Sequence, residues 1–224
     1  MTIPDTYGPP AATITTFDFT DIASGTGIQE FFLGITNSQD GLSGQRILSD
    51  NKFYSDLITE EVENASIDTG TPDVWGKFID KNYDVTFVRP QNTQGIATVN
   101  IAYGSTQNQG SVTAQTNIAV SISKISGGTT TELDNMSGSV LINNVQTEDK
   151  FTIAAIPLDL GKTHFKINDI LRLNVQYWAQ GTSGSTDLFY GQDPNNRATT
   201  DKETRDWGDN PSISSVQIPF RIPI

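Results

Sequence analysis

The chain predicts an all-β fold, a jelly roll or β-sandwich of two antiparallel sheets with about eight to nine strands. Three observations carry that expectation. Hydrophobic residues make up 35% and charged residues 18% of the 224, and Thr, Ser, Asn, Gln and Gly fill the difference. Those residues suit half-exposed strands and turns, whereas long helices want Ala, Leu, Glu and Lys in quantity. Apolar residues recur at period two, and short β-like runs alternate with turn residues at the spacing of sandwiches and barrels.

Residues 1–12, MTIPDTYGPPAA, contain Pro4, Pro9 and Pro10 and no apolar periodicity. They read as an extended assembly arm that orders only against a partner, with 13–224 as a single domain. The runs that follow are ITTFDF (14–19), EFFLGI (30–35), YDVTFV (83–88) and IATVNIAY (96–103). FYSDLITEEVEN (53–64) fits a short helix lined by Phe53 and Leu57, and equally a loop or strand; Glu60, Glu61 and Glu63 in it read as a solvated face.

The clearest strand is 112–122, where Val112, Ala114, Thr116, Ile118, Val120 and Ile122 share one parity. Gly127-Gly128 then supplies a hairpin turn, because glycine takes positive φ without steric cost. SVLI (139–142), FTIAAI (151–156) and ILRLNVQYW (170–178) continue the pattern. Ile118, Val120, Leu171, Leu173 and Val175 are expected in one core. In the final run, VQIPFRIPI (216–224), Pro219 and Pro223 lack the ladder N–H. That strand belongs at an edge, or has its prolines facing away from any partner strand.

The formal charge of −12 repels phosphate backbones and anionic headgroups, so neither nucleic acid nor a membrane is expected as main partner. Lys77, Lys81 and Arg89, or Lys162, Lys166 and Arg172, read as a solvated rim. The chain has no Cys, and its first basic residue is Arg46. The basic start of a secretory signal is therefore missing, and synthesis in a cytoplasm is expected. No cofactor is implied.

The single histidine, His164, has no nucleophile motif beside it, and one His without Cys is a poor zinc donor set. Catalytic residues are therefore not assigned, and the expectation is of a protein without enzymatic activity. Asp187, Asp193 and Asn195 are the calcium candidates, since clustered carboxylate and amide oxygens suit a hard cation, although Asp-Pro-Asn-Asn is equally good turn chemistry. Among the aromatics, Trp178 ends an apolar strand and reads as core or core-edge. Trp207, Tyr190 and Trp75 are the candidates for an interface or a glycan contact.

The segment FKINDILRLNVQYWAQG (165–181), the closing VQIPFRIPI and the early TFDFTD (16–21) resemble jelly-roll virion structural proteins of tailed phages and marine viruses. Asn168 stands where a glycine is commoner in that turn. The resemblance implies a capsid-associated, decoration or spike component, located in the virion, assembling with copies of itself and with other virion proteins. Recognition of a surface glycan or receptor is the alternative.

Overall fold

The computed structural model describes residues 26–36, 44–66, 74–109, 114–138, 141–143, 150–181, 185–197 and 211–221. The chain is all-β: among the described residues there are twelve strands and no helix. They are β1 (Thr26–Ile35), β2 (Arg46–Ser49), β3 (Thr59–Ser66), β4 (Gly76–Thr86), β5 (Gln91–Gln109) and β6 (Ala114–Ser126). The second half supplies β7 (Thr129–Ser137), β8 (Leu141–Asn143), β9 (Lys150–Phe165), β10 (Ile170–Gln180), β11 (Ser185–Gly191) and β12 (Ser215–Arg221).

The strands form one hydrogen-bonded path in the order β3-β11-β5-β12-β1-β2-β4-β10-β6-β7, with β9 added to β5 and β8 to β6. Every pairing is antiparallel except a single parallel contact, Ile47 with Asp84, between β2 and β4. Strands far apart in the order meet face to face. Tyr103 of β5 lies 5.6 Å from Tyr177 of β10, edge to face, and Phe87 lies 6.0 Å from Phe220 of β12. The Tyr177 hydroxyl donates to the Gly104 carbonyl at 2.7 Å and ties the two layers together.

The period-two pattern decides which face each strand buries. Ile118, Val120 and Ile122 of β6 and Leu171, Leu173 and Val175 of β10 all enter one hydrophobic core, as the alternation predicts. Gly127 and Gly128 link β6 to β7 with φ of 56° and 83°, and Asn168 takes φ 68° in the turn before β10, in place of a glycine.

Three open readings are decided. Over 53–64 the loop and strand alternatives hold and the helix does not: the segment runs irregularly into β3, whose Glu60 pairs with Tyr190 of β11. The last strand is not at an edge, since β12 lies between β1 and β5. Its pairing with β5 shifts register between Gln217 and Phe220, so Pro219 sits where the ladder is interrupted and its missing N–H costs no bond there. Trp178 points away from the core, because it shares parity with Arg172, Asn174 and Gln176. The run at 14–19 and the arm prolines Pro4, Pro9 and Pro10 lie outside the described residues.

Candidate functional site

The inward alternation of β10 sends Arg172, Asn174, Gln176 and Trp178 to the outer face, and antiparallel register sets each beside a defined neighbour. Arg172 stands opposite Asp84 of β4 and Ser123 of β6, Asn174 opposite Asn82 and Ser121, and Gln176 opposite Asp80 and Ala119. Beyond β6, Ser121 pairs with Asn135 and Ser123 with Glu132 of β7. The result is a polar platform four strands wide.

Its side chains hold one another. Arg172 grips Asp84 through two bonds of 2.7 Å, the bidentate geometry that fixes a guanidinium. The Asn174 amide donates to Asp80 at 2.7 Å and to Asn82 at 2.9 Å, and Asp80 also pairs with Lys77. Burial pushes the Asp80 carboxyl up, but the Asn174 amide and the Lys77 ammonium outweigh it and hold the group below its usual value. The Trp178 indole N–H donates to Gln176 Oε1 at 3.1 Å, and the Asn135 amide donates to Glu132 at 2.8 Å. Over these residues lies a groove of about 330 Å³, lined chiefly by Ser121, Glu132, Asn135, Ser137, Asn174 and Gln176.

A second polar group joins the two layers. Glu60 accepts from Arg46 at 2.6 Å and from Lys81 at 3.0 Å, so both carboxylate oxygens face cations. Alongside, the fully buried Tyr83 hydroxyl donates to Gln192 Oε1 at 2.5 Å and meets the Tyr190 hydroxyl at 2.8 Å. Burial raises the pKa of both phenols, so they stay protonated and available as donors.

Tyr190 is fully buried and belongs to this internal network, Trp75 is half-buried before β4, and Trp207 lies outside the described residues. The calcium candidates do not converge. Asp187 is buried within β11, while the buried Asp193 carboxylate accepts from Arg197 Nε at 3.0 Å and from its backbone N–H at 2.7 Å. Asn195 instead donates to the Phe53 carbonyl at 2.6 Å. Among the described residues no group of three or more His, Asp or Glu could hold a metal ion. His164 Nδ1 meets Asn92 Oδ1 at 2.8 Å, an amide across the β5–β9 ladder. Glu60, read as part of a solvated face, and Lys81, read as rim, prove to be an ion pair. The signal missed was that TEEVENAS is a strand, where alternation directs Glu60 and Glu61 to opposite faces.

Neither a family model nor a curated protein sequence matches the chain. A solved structure shares its fold, and others resemble it less closely. A selenomethionine-labelled α-amino acid ester hydrolase is 9% identical with a TM-score of 0.52, over 86% of this chain and 36% of that one. A CocE/NonD family hydrolase from Staphylococcus aureus is 13% identical with a TM-score of 0.48, over 87% of this chain and 37% of that one. A structure of infectious bursal disease virus, Gx strain, gives 8% identity and a TM-score of 0.26, over 88% and 56%. The chain thus spans little more than a third of the hydrolases it matches.

The likeness to the ester hydrolase corrects the expectation of a non-enzymatic virion structural protein, and with it the virion, capsid and phage assignments. The likeness that reaches a TM-score of 0.52 is to a hydrolase. An all-β fold of this order occurs inside an enzyme, so a sandwich without a nucleophile motif is no mark of a structural protein.

Proposed function

We propose that this chain is the β-sandwich unit of a hydrolase that cleaves esters or amides of small amino-acid-like substrates. The observation that carries the reading is the extent of the fold likeness: it takes in 86% of this chain but only 36% of the α-amino acid ester hydrolase. A unit that accounts for about a third of an enzyme contributes a rigid wall beside the remainder. The single histidine supports a division of labour, since among the described residues its ring meets the Asn92 amide and no carboxylate or serine hydroxyl. In this reading the nucleophile and its base lie on a separate domain or subunit, and the sandwich shapes access to them.

The test uses the protein as purified from its natural source, assayed with amino-acid p-nitrophenyl esters and p-nitroanilides and labelled with a fluorophosphonate. Hydrolysis that co-elutes with the chain, with the label on a serine outside residues 1–224, is the expected result. Absence of hydrolysis in the material that contains the chain would overturn the proposal. A labelled serine within residues 1–224 that supports turnover would overturn the division of labour.

A further inference from the structure

We propose that the groove on the outer face of β4, β10, β6 and β7 binds a short uncharged oligosaccharide. Sugar hydroxyls are donor and acceptor at once, so they are matched by a lining that mixes both roles at close spacing. This groove supplies such a mixture: the amides of Asn135, Asn174 and Gln176, the hydroxyls of Ser121 and Ser137, and the Glu132 carboxylate. Its volume of about 330 Å³ falls at the lower end of the roughly 300–1,000 Å³ of small-ligand sites.

The charge and the apolar content decide against other occupants. None of the lining residues is basic, Glu132 is acidic, and the chain carries a formal charge of −12, which disfavours phosphates and acidic ligands. A peptide needs apolar pockets for alternate side chains, whereas the lining offers only Ala119, Val120 and the half-exposed Met136.

Preorganisation supports binding over mere hydration. Asn174 is fixed between Asp80 and Asn82, Gln176 is oriented by the Trp178 indole, and Asn135 is held by Glu132. Side chains already locked by their neighbours lose little entropy when a ligand arrives. The substrate-facing role proposed for the whole chain is not needed here, because sugar binding is read without any hydrolysis.

The intact chain is titrated calorimetrically with cello-, laminari-, xylo-, manno- and chito-oligosaccharides at millimolar concentration. At least one should bind, and both Gln176→Ala and Asn135→Ala should weaken it by about tenfold or more while leaving the thermal midpoint unchanged. His164→Ala, on a different strand pair, should bind as the parent does. Should either alanine variant prove unstable, Ser137→Tyr fills the groove from the exposed edge strand and must also abolish binding. Failure of every sugar to bind, binding that survives all three groove variants, or displacement of the sugar by an extended polar peptide would overturn the proposal.

Discussion

Replacing Tyr83 by phenylalanine removes one oxygen from the place where the two layers are joined by polar contact. The hydroxyl is fully buried, donates to Gln192 Oε1 at 2.5 Å and meets the Tyr190 hydroxyl at 2.8 Å. The ring stays, and with it the edge-to-face contact with Tyr190 at 6.5 Å. What is lost is hydrogen bonding to two buried groups, each of which costs about 1–3 kcal/mol when left unsatisfied, so the expected destabilisation is about 2–6 kcal/mol. Urea unfolding at constant slope measures it. A cycle with Tyr190→Phe should show coupling of at least about 0.5 kcal/mol between the two hydroxyls. Tyr54→Phe, at an exposed phenol, should stay within about 0.5 kcal/mol of the parent.

The same residue predicts an alkaline signature. Burial raises Tyr83 above the usual 10.0, and burial likewise takes Tyr103 up to about 12. Above 10 the unfolded chain has released phenolic protons that the native chain keeps. Stability therefore falls as pH rises from 10, by about 1.4 kcal/mol per pH unit for each such tyrosine until its native value is reached. Tyr83→Phe should remove one tyrosine's share of that slope. A variant as stable as the parent at pH 7, with an unchanged alkaline slope, would refute the argument that this hydroxyl bridges the layers.

Three further outcomes are expected. Gly191→Ala should destabilise by about 1–3 kcal/mol or prevent folding, because a Cβ there would lie 2.4 Å from the Ser212 carbonyl oxygen and 2.6 Å from its Cα, and backbone cannot step aside; recovery of folded protein by circular dichroism checks it. Leu173→Ala, at a fully buried position, should cost about 2–5 kcal/mol in a thermal or urea melt. Asp169 is held at about 2 by the Lys166 backbone N–H, with Ser126 and Lys124 adding to it, so its folded value lies below the usual 3.8 and its contribution is present above that pH. Asp169→Asn should therefore be less stable than the parent at neutral pH, and melts repeated downward should show the difference closing as pH falls from 3.8 towards 2.

The strands legible in the sequence are those buried on one face and flanked by unambiguous turns. β6 and β10 alternate cleanly because each lies between two neighbours in the order and buries one complete parity. β7 was invisible as a strand: TTTELDNMS is exposed at seven of its nine positions, so no hydrophobic period exists to read, and its place is fixed by pairing with β6 through the Gly127-Gly128 turn. β3 was ambiguous for a different reason. Its acidic run resembles a helix surface, and only the pairing of Glu60 with Tyr190, together with the cations Arg46 and Lys81, reveals a strand. Of the two places its prolines allow β12, the edge is excluded, because proline argues for an edge only when the ladder around it is regular, and here the register shift absorbs it.

The groove was beyond reach of a single strand's pattern for a physical reason that also explains its rigidity. Within β10, Asn174 and Gln176 are simply the polar parity, indistinguishable from residues that face water. They become a surface only through register, which sets Asn82, Asn174, Ser121 and Asn135 in one row across four strands. That register is enforced from the opposite face, where Tyr83, Leu173 and Ile122 form the adjacent buried row. A slip of one residue between any two strands would turn the apolar row to solvent and the amide row into the core, at a cost of several buried side chains and their unpaired amides. The core thus determines where the amides stand relative to one another, and a substitution such as Leu173→Ala is expected to loosen the groove without touching any residue that lines it.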